Sequence, residues 1–109
     1  MTCKVVFLPA AEQDLKTLRA YVFKHFGKST WLASYSKIKA SVEVIQTFPE
    51  SGQIPEELTR LNLAQYRQII SGMNRIIYEV RQGTAYIHLV CDTRQDLSTL
   101  LTRRLLSGA

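Results

Sequence analysis

Cysteine is scarce in this sequence: Cys3 and Cys91 are the only two, they lie far apart, and they match no metal-ligand spacing. Neither a disulfide scaffold nor a thiolate metal site is therefore indicated, and both thiols are expected buried and reduced, as in a reducing cytosol. Long apolar runs are also missing. Nothing approaches the roughly 18 residues that cross a bilayer. The short run Val5–Leu8 stops at Pro9 and acidic residues, too soon for a secretory signal. The expectation is a cytoplasmic protein with no membrane partner and no cofactor. Repeats, low-complexity tracts and linkers are absent as well. Acidic residues are outnumbered, nine against 14 Lys and Arg, for a net charge of +5 and a pI near 9.5. That balance indicates an anionic partner, either nucleic acid or an acidic protein segment, against the plainer alternative of a merely solubilising cationic surface.

What is present is an ordinary globular composition, 46% hydrophobic and 21% charged over 109 residues. Such a chain is expected to form one domain over residues 1–109 that buries roughly two-thirds of its unfolded surface. Val5–Leu8 is a β-prone run, and Pro9 suits the first turn of a helix. From Ala10 to Phe26, Ala11, Leu15, Leu18, Val22 and Phe26 recur at four-three spacing, one face of a helix that Gly27 can end. Ser29 or Thr30 can cap a second helix with Trp31, Tyr35, Ile38, Val42 and Ile45 on its stripe. Two such helices joined by about three residues make an antiparallel hairpin, with Trp31, Tyr35 and Ile38 in its core. The stretch F48-P-E-S-G-Q-I-P55 is a loop, since two prolines and a glycine stop both helix and inner strand. The residues that follow, up to Leu63, show no clear period.

Three strand-like runs come next, Tyr66 to Ile70, Asn74 to Arg81 and Thr84 to Cys91, with short Gly-containing spacers that signal an antiparallel meander. A two-residue turn at Gln82-Gly83 sets Arg81 opposite Thr84, Glu79 opposite Tyr86, Ile77 opposite His88 and Arg75 opposite Val90. Those eight share a polar, partly cationic face. Ile76, Tyr78, Val80, Ala85, Ile87, Leu89 and Cys91 form the apolar face that packs on the helices, so burial should alternate strictly from Asn74 to Val80. Thr93-Arg94-Gln95-Asp96 fits a capping box opening a last helix with Leu97, Leu100, Leu101 and Leu105 on one stripe. The fold class is α+β: an N-terminal strand, a two-helix hairpin, a three-stranded meander and a short C-terminal helix.

That order resembles the RelE/ParE toxin superfamily over nearly the whole chain. V5-V-F-L-P-A-A-E-Q-D-L15 is similar to the family's opening strand and first helix, and F48-P-E-S-G52 to the loop after its second helix. Y66-R-Q-I-I-S-G-M-N-R-I-I-Y-E-V80 resembles the central hairpin, and V90-C-D-T-R-Q-D96 the passage into the last helix. The resemblance implies a toxin neutralised by a cognate acidic antitoxin, with operator DNA reached only through the antitoxin and a homodimer left open. It also implies one of two targets: messenger RNA cleaved in the ribosome by RelE-like members, or DNA gyrase poisoned by ParE-like ones. Fold alone does not choose between them.

Metal-independent RNA cleavage needs a base for the 2′-hydroxyl, stabilisation of a phosphorane and an acid for the leaving oxygen. Arg75 and Arg94 resemble the phosphate-binding arginines of the ribosome-dependent branch, and Arg81 adds charge to the same strand. The alternative is that these are solvated residues or antitoxin contacts. Arg67 is a weaker candidate because the Ser71–Met73 loop leaves its face ambiguous. Glu56 resembles a proline-flanked glutamate base of one interferase subgroup. That subgroup also carries a histidine and aromatic pair after the last strand, where this sequence has Asp92-Thr93-Arg94. Other interferases place a tyrosine where Leu100 stands. His88 has the right unperturbed pKa for proton transfer but sits mid-strand, where a packing role is favoured. Many ParE-like members read His-Gly-Arg at the junction, of which only Arg94 is kept here.

With those groups missing, the reading favours a non-enzymatic, gyrase-directed toxin whose solvated patch, Arg67, Arg75, Arg81, Asp92 and Arg94, meets target or antitoxin. A metal-independent endoribonuclease is the alternative. A degenerate toxin kept as an antitoxin scaffold is another, and a direct DNA-binding module is weakened by the lack of a helix-turn-helix pattern.

Overall fold

Pro9 decides where the first strand ends. The computed structural model describes residues 2–107 and places strand β1 at Lys4–Phe7, with helix α1 following at once at Pro9–Phe26. Gly27 alone joins α1 to α2, Lys28–Thr47. The expected three-residue connection with a Ser or Thr cap gives way to a one-residue link, because Gly27 adopts φ 90°, ψ 174°, a combination open essentially to glycine only. Ala11, Val22, Trp31, Ile38 and Ile45 are buried as the periodicity predicts. Phe26 and Tyr35 are not: they are 60% and 44% exposed.

The chain then forms a one-turn helix α3, Glu56–Thr59, and strands β2 Tyr66–Ser71, β3 Asn74–Arg81 and β4 Thr84–Asp92, and closes with α4, Leu97–Leu106. The sheet order is β1-β4-β3-β2, with β1 parallel to β4 and the other pairs antiparallel. Both hairpin turns are two residues long, led by Gly72 at φ 61° in one, and by Gln82 and Gly83 at φ 50° and 78° in the other. This is the α+β architecture expected from the sequence. The link between β1 and β4 also separates the cysteines, since Lys4 lies beside Thr84 while Cys91 is seven residues further along β4, about 23 Å away. Both are free thiols.

The expected sheet faces need correction. Arg81 pairs Thr84 and Glu79 pairs Tyr86 as predicted, but a bulge in β4 leaves His88 without a partner, so Ile77 faces Leu89, Ile76 faces Val90 and Arg75 faces Cys91. A bulge sends two consecutive side chains to one side. Val90 therefore joins the helix-facing core with Ala11, Ile38, Ile45, Ile76, Tyr78, Ala85 and Ile87. Leu89 and Cys91 cross to the other face. That face is not polar: Leu89, Cys91 and Ile77 pack there with Leu58, Tyr66, Leu97 and Leu101 under α3 and α4. Ile76, Ile77 and Tyr78 are each 0% exposed, so strict alternation fails because both faces are covered.

One aromatic residue ties the loop before α3 to this core. The Tyr78 hydroxyl donates to the Pro49 carbonyl at 2.7 Å and accepts from the Gly52 N–H at 3.1 Å. A Cβ on Gly52 would overlap that hydroxyl and come within 2.9 Å of two ring carbons. Gly52→Ala is therefore expected to lower stability by about 1–3 kcal/mol, as overpacking does, in a urea titration. An unchanged midpoint would show that the loop does not close on Tyr78.

Candidate functional site

Where β4 runs into α4, the chain turns through Asp92 to Asp96, and side chains hold that turn from both sides. The Asp92 N–H donates to Gln95 Oε1 at 3.1 Å, the Arg94 N–H donates to Asp92 Oδ1 at 2.8 Å, and the Thr93 N–H reaches the Met73 carbonyl at 2.8 Å. Thr93 therefore does not open the helix. Asp96 is the residue before α4, and its Oδ2 accepts from Thr99 Oγ1 at 2.6 Å. Arg94 doubles back on Asp92 in a two-pronged pair, Nε to Oδ1 at 2.9 Å and Nη2 to Oδ2 at 3.0 Å, with 79% of its side chain in solvent. That guanidinium holds the Asp92 carboxyl down to a pKa of about 2.

Arg75 is the largest departure from the expected solvated patch. Only 11% of its side chain is exposed. Its Nη1 donates to Gln68 Oε1 (3.2 Å) and Glu57 Oε1 (3.4 Å), and its Nη2 to the Thr93 and Gln95 carbonyls (3.4 and 3.3 Å). It thus brackets α3, β2 and the β4–α4 turn from behind. Arg81 does not share a patch with it, being six residues further along β3 and about 20 Å away. Arg81 is 57% exposed, pairs with Glu79 at 3.3 Å and stacks on Tyr86 at 4.6 Å. Arg67 lies opposite Tyr78, hence on the helix face of the sheet, and donates to the Glu50 and Gly52 carbonyls. Glu56 is 82% exposed and pairs with Arg60 at 2.7 Å. Its neighbour Glu57 is the carboxylate that reaches Arg75.

His88 is 6% exposed, edge-on to Tyr66 at 5.0 Å, with Nε2 3.2 Å from Glu79 Oε1. Burial lowers its pKa below the usual 6.5, opposed by Glu79 and assisted by Arg81 and Arg104. Between the lowered folded value and 6.5 the unfolded chain binds a proton that the folded one does not. Stability is thus fully present above about pH 6.5 and is lost as pH falls through the folded pKa, by at most ~1.4 kcal/mol per pH unit. Urea midpoints taken across that range should fall on acidification for wild type and stay flatter for His88→Gln. A rise on acidification would mean that Glu79 dominates.

The pair that the sequence did not announce is Asp14 with Arg104. Strand β1 covers the outer edge of β4 only as far as Ile87. Beyond it, Asp14 Oδ2 accepts the Val90 N–H at 3.0 Å and Arg104 Nη1 donates to the His88 carbonyl at 2.6 Å. The two side chains bond each other at 2.9 and 3.2 Å. They stand in for the missing length of strand and fasten α4 to α1. Asp14 stands near the positive N-terminal end of α1, where a carboxylate is favourable without any tertiary partner, and nothing in the sequence marks Arg104. Above this pair opens a cleft of about 770 Å³ between α1, the end of β4 and α4, with Tyr21 and Leu100 on its walls and Asp92 and Arg94 at the turn. Of the expected residues, only Asp92 and Arg94 border it.

The profile of the ParE toxin of the type II toxin-antitoxin system parDE matches residues 5–97. The chain belongs to the ParE toxin family. Among solved structures it is similar to a ParE-system chain described as the chromosomal ParDE TA system from P. aeruginosa. That similarity has a TM-score of 0.69 at 14% identity and covers 84% of this chain and 96% of that one. No curated protein matches the sequence. The ParE fold and the toxin family of a toxin-antitoxin system thus stand together. Among the described residues no helix is long and apolar enough to cross a membrane.

Proposed function

We propose that this ParE-family chain is a cytoplasmic toxin domain that arrests growth by inhibiting DNA gyrase and is neutralised by a cognate acidic antitoxin. The operator sequence would be read only through that antitoxin. The observation that carries the reading is Arg94, 79% exposed at the cleft and paired with Asp92. Phosphoryl transfer would need a base and an acid beside that guanidinium. A carboxylate with a pKa of about 2 is a poor base at neutral pH and His88 is buried elsewhere, so the Tyr21 hydroxyl on the cleft wall has no base to work with. The surface suits binding: an incoming carboxylate can replace Asp92 as the partner of Arg94 through charge-assisted hydrogen bonds.

Purified protein is expected to inhibit gyrase in a supercoiling assay and to leave ribosome-bound messenger RNA intact. Cleavage of that RNA would overturn the reading in favour of an interferase, and inactivity in both assays would favour a degenerate scaffold. Arg94→Ala should weaken antitoxin binding by about 10-fold or more, the loss of one or two charge-assisted bonds, in a titration of the purified pair.

A further inference from the structure

The charge of this protein is not spread over it. From Leu15 to Val42, 28 residues without one Asp or Glu, the helix hairpin carries Lys16, Arg19, Lys24, Lys28, Lys37 and Lys39. Outside residues 15–42 the chain holds eight cations against nine acids, with Glu12, Asp14 and Glu43 at the open end of the same two helices, so the excess positive charge lies on the part of the hairpin nearest its closed end. All six side chains are exposed. None of them forms an ion pair among the described residues, whereas Arg60, Arg75, Arg81, Arg94 and Arg104 each have a carboxylate partner. Exposed rings stand between these cations: Tyr21, stacked on His25 at 4.5 Å, Phe26 at the tip, and Phe23 beneath Arg19 at 5.7 Å.

From this we infer that the α1–α2 hairpin is a sequence-independent docking surface for the phosphate backbone of duplex DNA. Lys28 and Lys39 share one side of α2, whereas Lys37 points the other way, toward Gly72 of the β2–β3 turn; unpaired cations of one sign repel a second copy of the hairpin, which argues against a self-association face. Five of the six are lysines, a residue depleted from protein–protein interfaces but suited as a point charge to phosphates, which require no fixed donor geometry. Lysines spread over two helices, with no recognition helix shown to enter a groove, fit contacts to phosphates, which position a protein on a duplex without carrying sequence information. The cations run about 12 Å along α1 and 16 Å along α2, a breadth that spans several phosphates of a duplex. The assignment of DNA rather than RNA rests on the gyrase reading, since gyrase works on duplex DNA. The toxin would then hold its target at two points, the enzyme through the cleft and the DNA through the hairpin.

The test is fluorescence anisotropy of a labelled duplex two turns long, titrated with full-length toxin at several salt concentrations. Binding should weaken with salt at a log–log slope of about −3 to −5, the signature of three to five phosphate contacts. Lys24→Glu/Lys28→Glu should lower affinity at least ~10-fold at moderate salt, whereas Arg103→Glu, an exposed cation on α4, should change it little. Absence of duplex binding at low salt, or equal losses in both variants, would overturn the inference. So would tighter binding to an RNA hairpin or to a polyglutamate peptide. The supercoiling assay separates the two readings: gyrase inhibition undiminished in the Lys24→Glu/Lys28→Glu variant sinks the docking surface alone, while wild-type toxin that binds duplex without inhibiting gyrase sinks the target.

Discussion

Arg104→Ala is expected to lower the unfolding free energy by about 3–5 kcal/mol, the usual cost of removing one partner from a buried ion pair. Asp14 and Arg104 are 18% and 17% exposed, so the carboxylate left behind would lose its charge partner while remaining partly shielded from water. The loss is larger than the pair itself, because the His88 carbonyl also forfeits its 2.6 Å donor and α4 loses its polar tie to α1. Asp14→Asn should cost less, since an amide oxygen still accepts the Val90 N–H. The Asp14→Ala/Arg104→Ala double variant should be more stable than the sum of the singles predicts. Chemical denaturation of wild type, Asp14→Ala, Arg104→Ala and the double variant reads this coupling directly. Strict additivity would mean that the two side chains act separately.

The second large effect concerns Arg75. Had it been a solvated binding residue, its removal would have left stability nearly unchanged. Held between Glu57, Gln68 and two carbonyls of the β4–α4 turn, it is instead expected to cost about 2–4 kcal/mol as Arg75→Ala, since charged hydrogen bonds are lost and buried acceptors are left bare. Arg94→Ala should stay within ~0.5 kcal/mol of wild type, as exposed substitutions do. Toxicity assays need that distinction. An Arg75 variant that fails to arrest growth at normal transcription reports a shortage of folded protein, whereas a silent Arg94 variant at wild-type thermal midpoint reports the binding surface. Equal thermal midpoints for the two variants would contradict the bracket role of Arg75.

Much of the fold was legible because it rests on long periodic segments. Ala11, Val22, Trp31, Ile38 and Ile45 recur at helical spacing, and Gly72 and Gly83 mark two tight turns. What escaped was short or distant. A single extra residue at His88 has no periodic signature, yet it moves Leu89, Val90 and Cys91 to the opposite faces from those an unbroken alternation assigns. Helix α3 is only four residues long, so the burial of Leu58 is set by tertiary packing rather than local pattern. The candidate site suffered from the same limits. Asp92 and Arg94 are neighbours in sequence and were found together, whereas Asp14 and Arg104 are separated by 90 residues. Arg75 lies on β3 as its pattern indicates, but the lid of α3 and α4 that takes it out of solvent leaves no mark in the sequence of β3 itself.

The parallel pairing of β1 with β4 bears on how the protein is made. Strand β1 leaves the ribosome first, yet its neighbours are Thr84 to Ile87, and Asp14 waits for Arg104. At about 5–20 residues per second of synthesis, β1 spends seconds with no edge to join, and the sheet can close only once Thr84 to Ile87 have emerged. The α1–α2 hairpin, built from local contacts, can form well before that. A nascent chain would therefore present its cationic helices ahead of the cleft, and the turn that displays Arg94 takes shape only after β4 has been released.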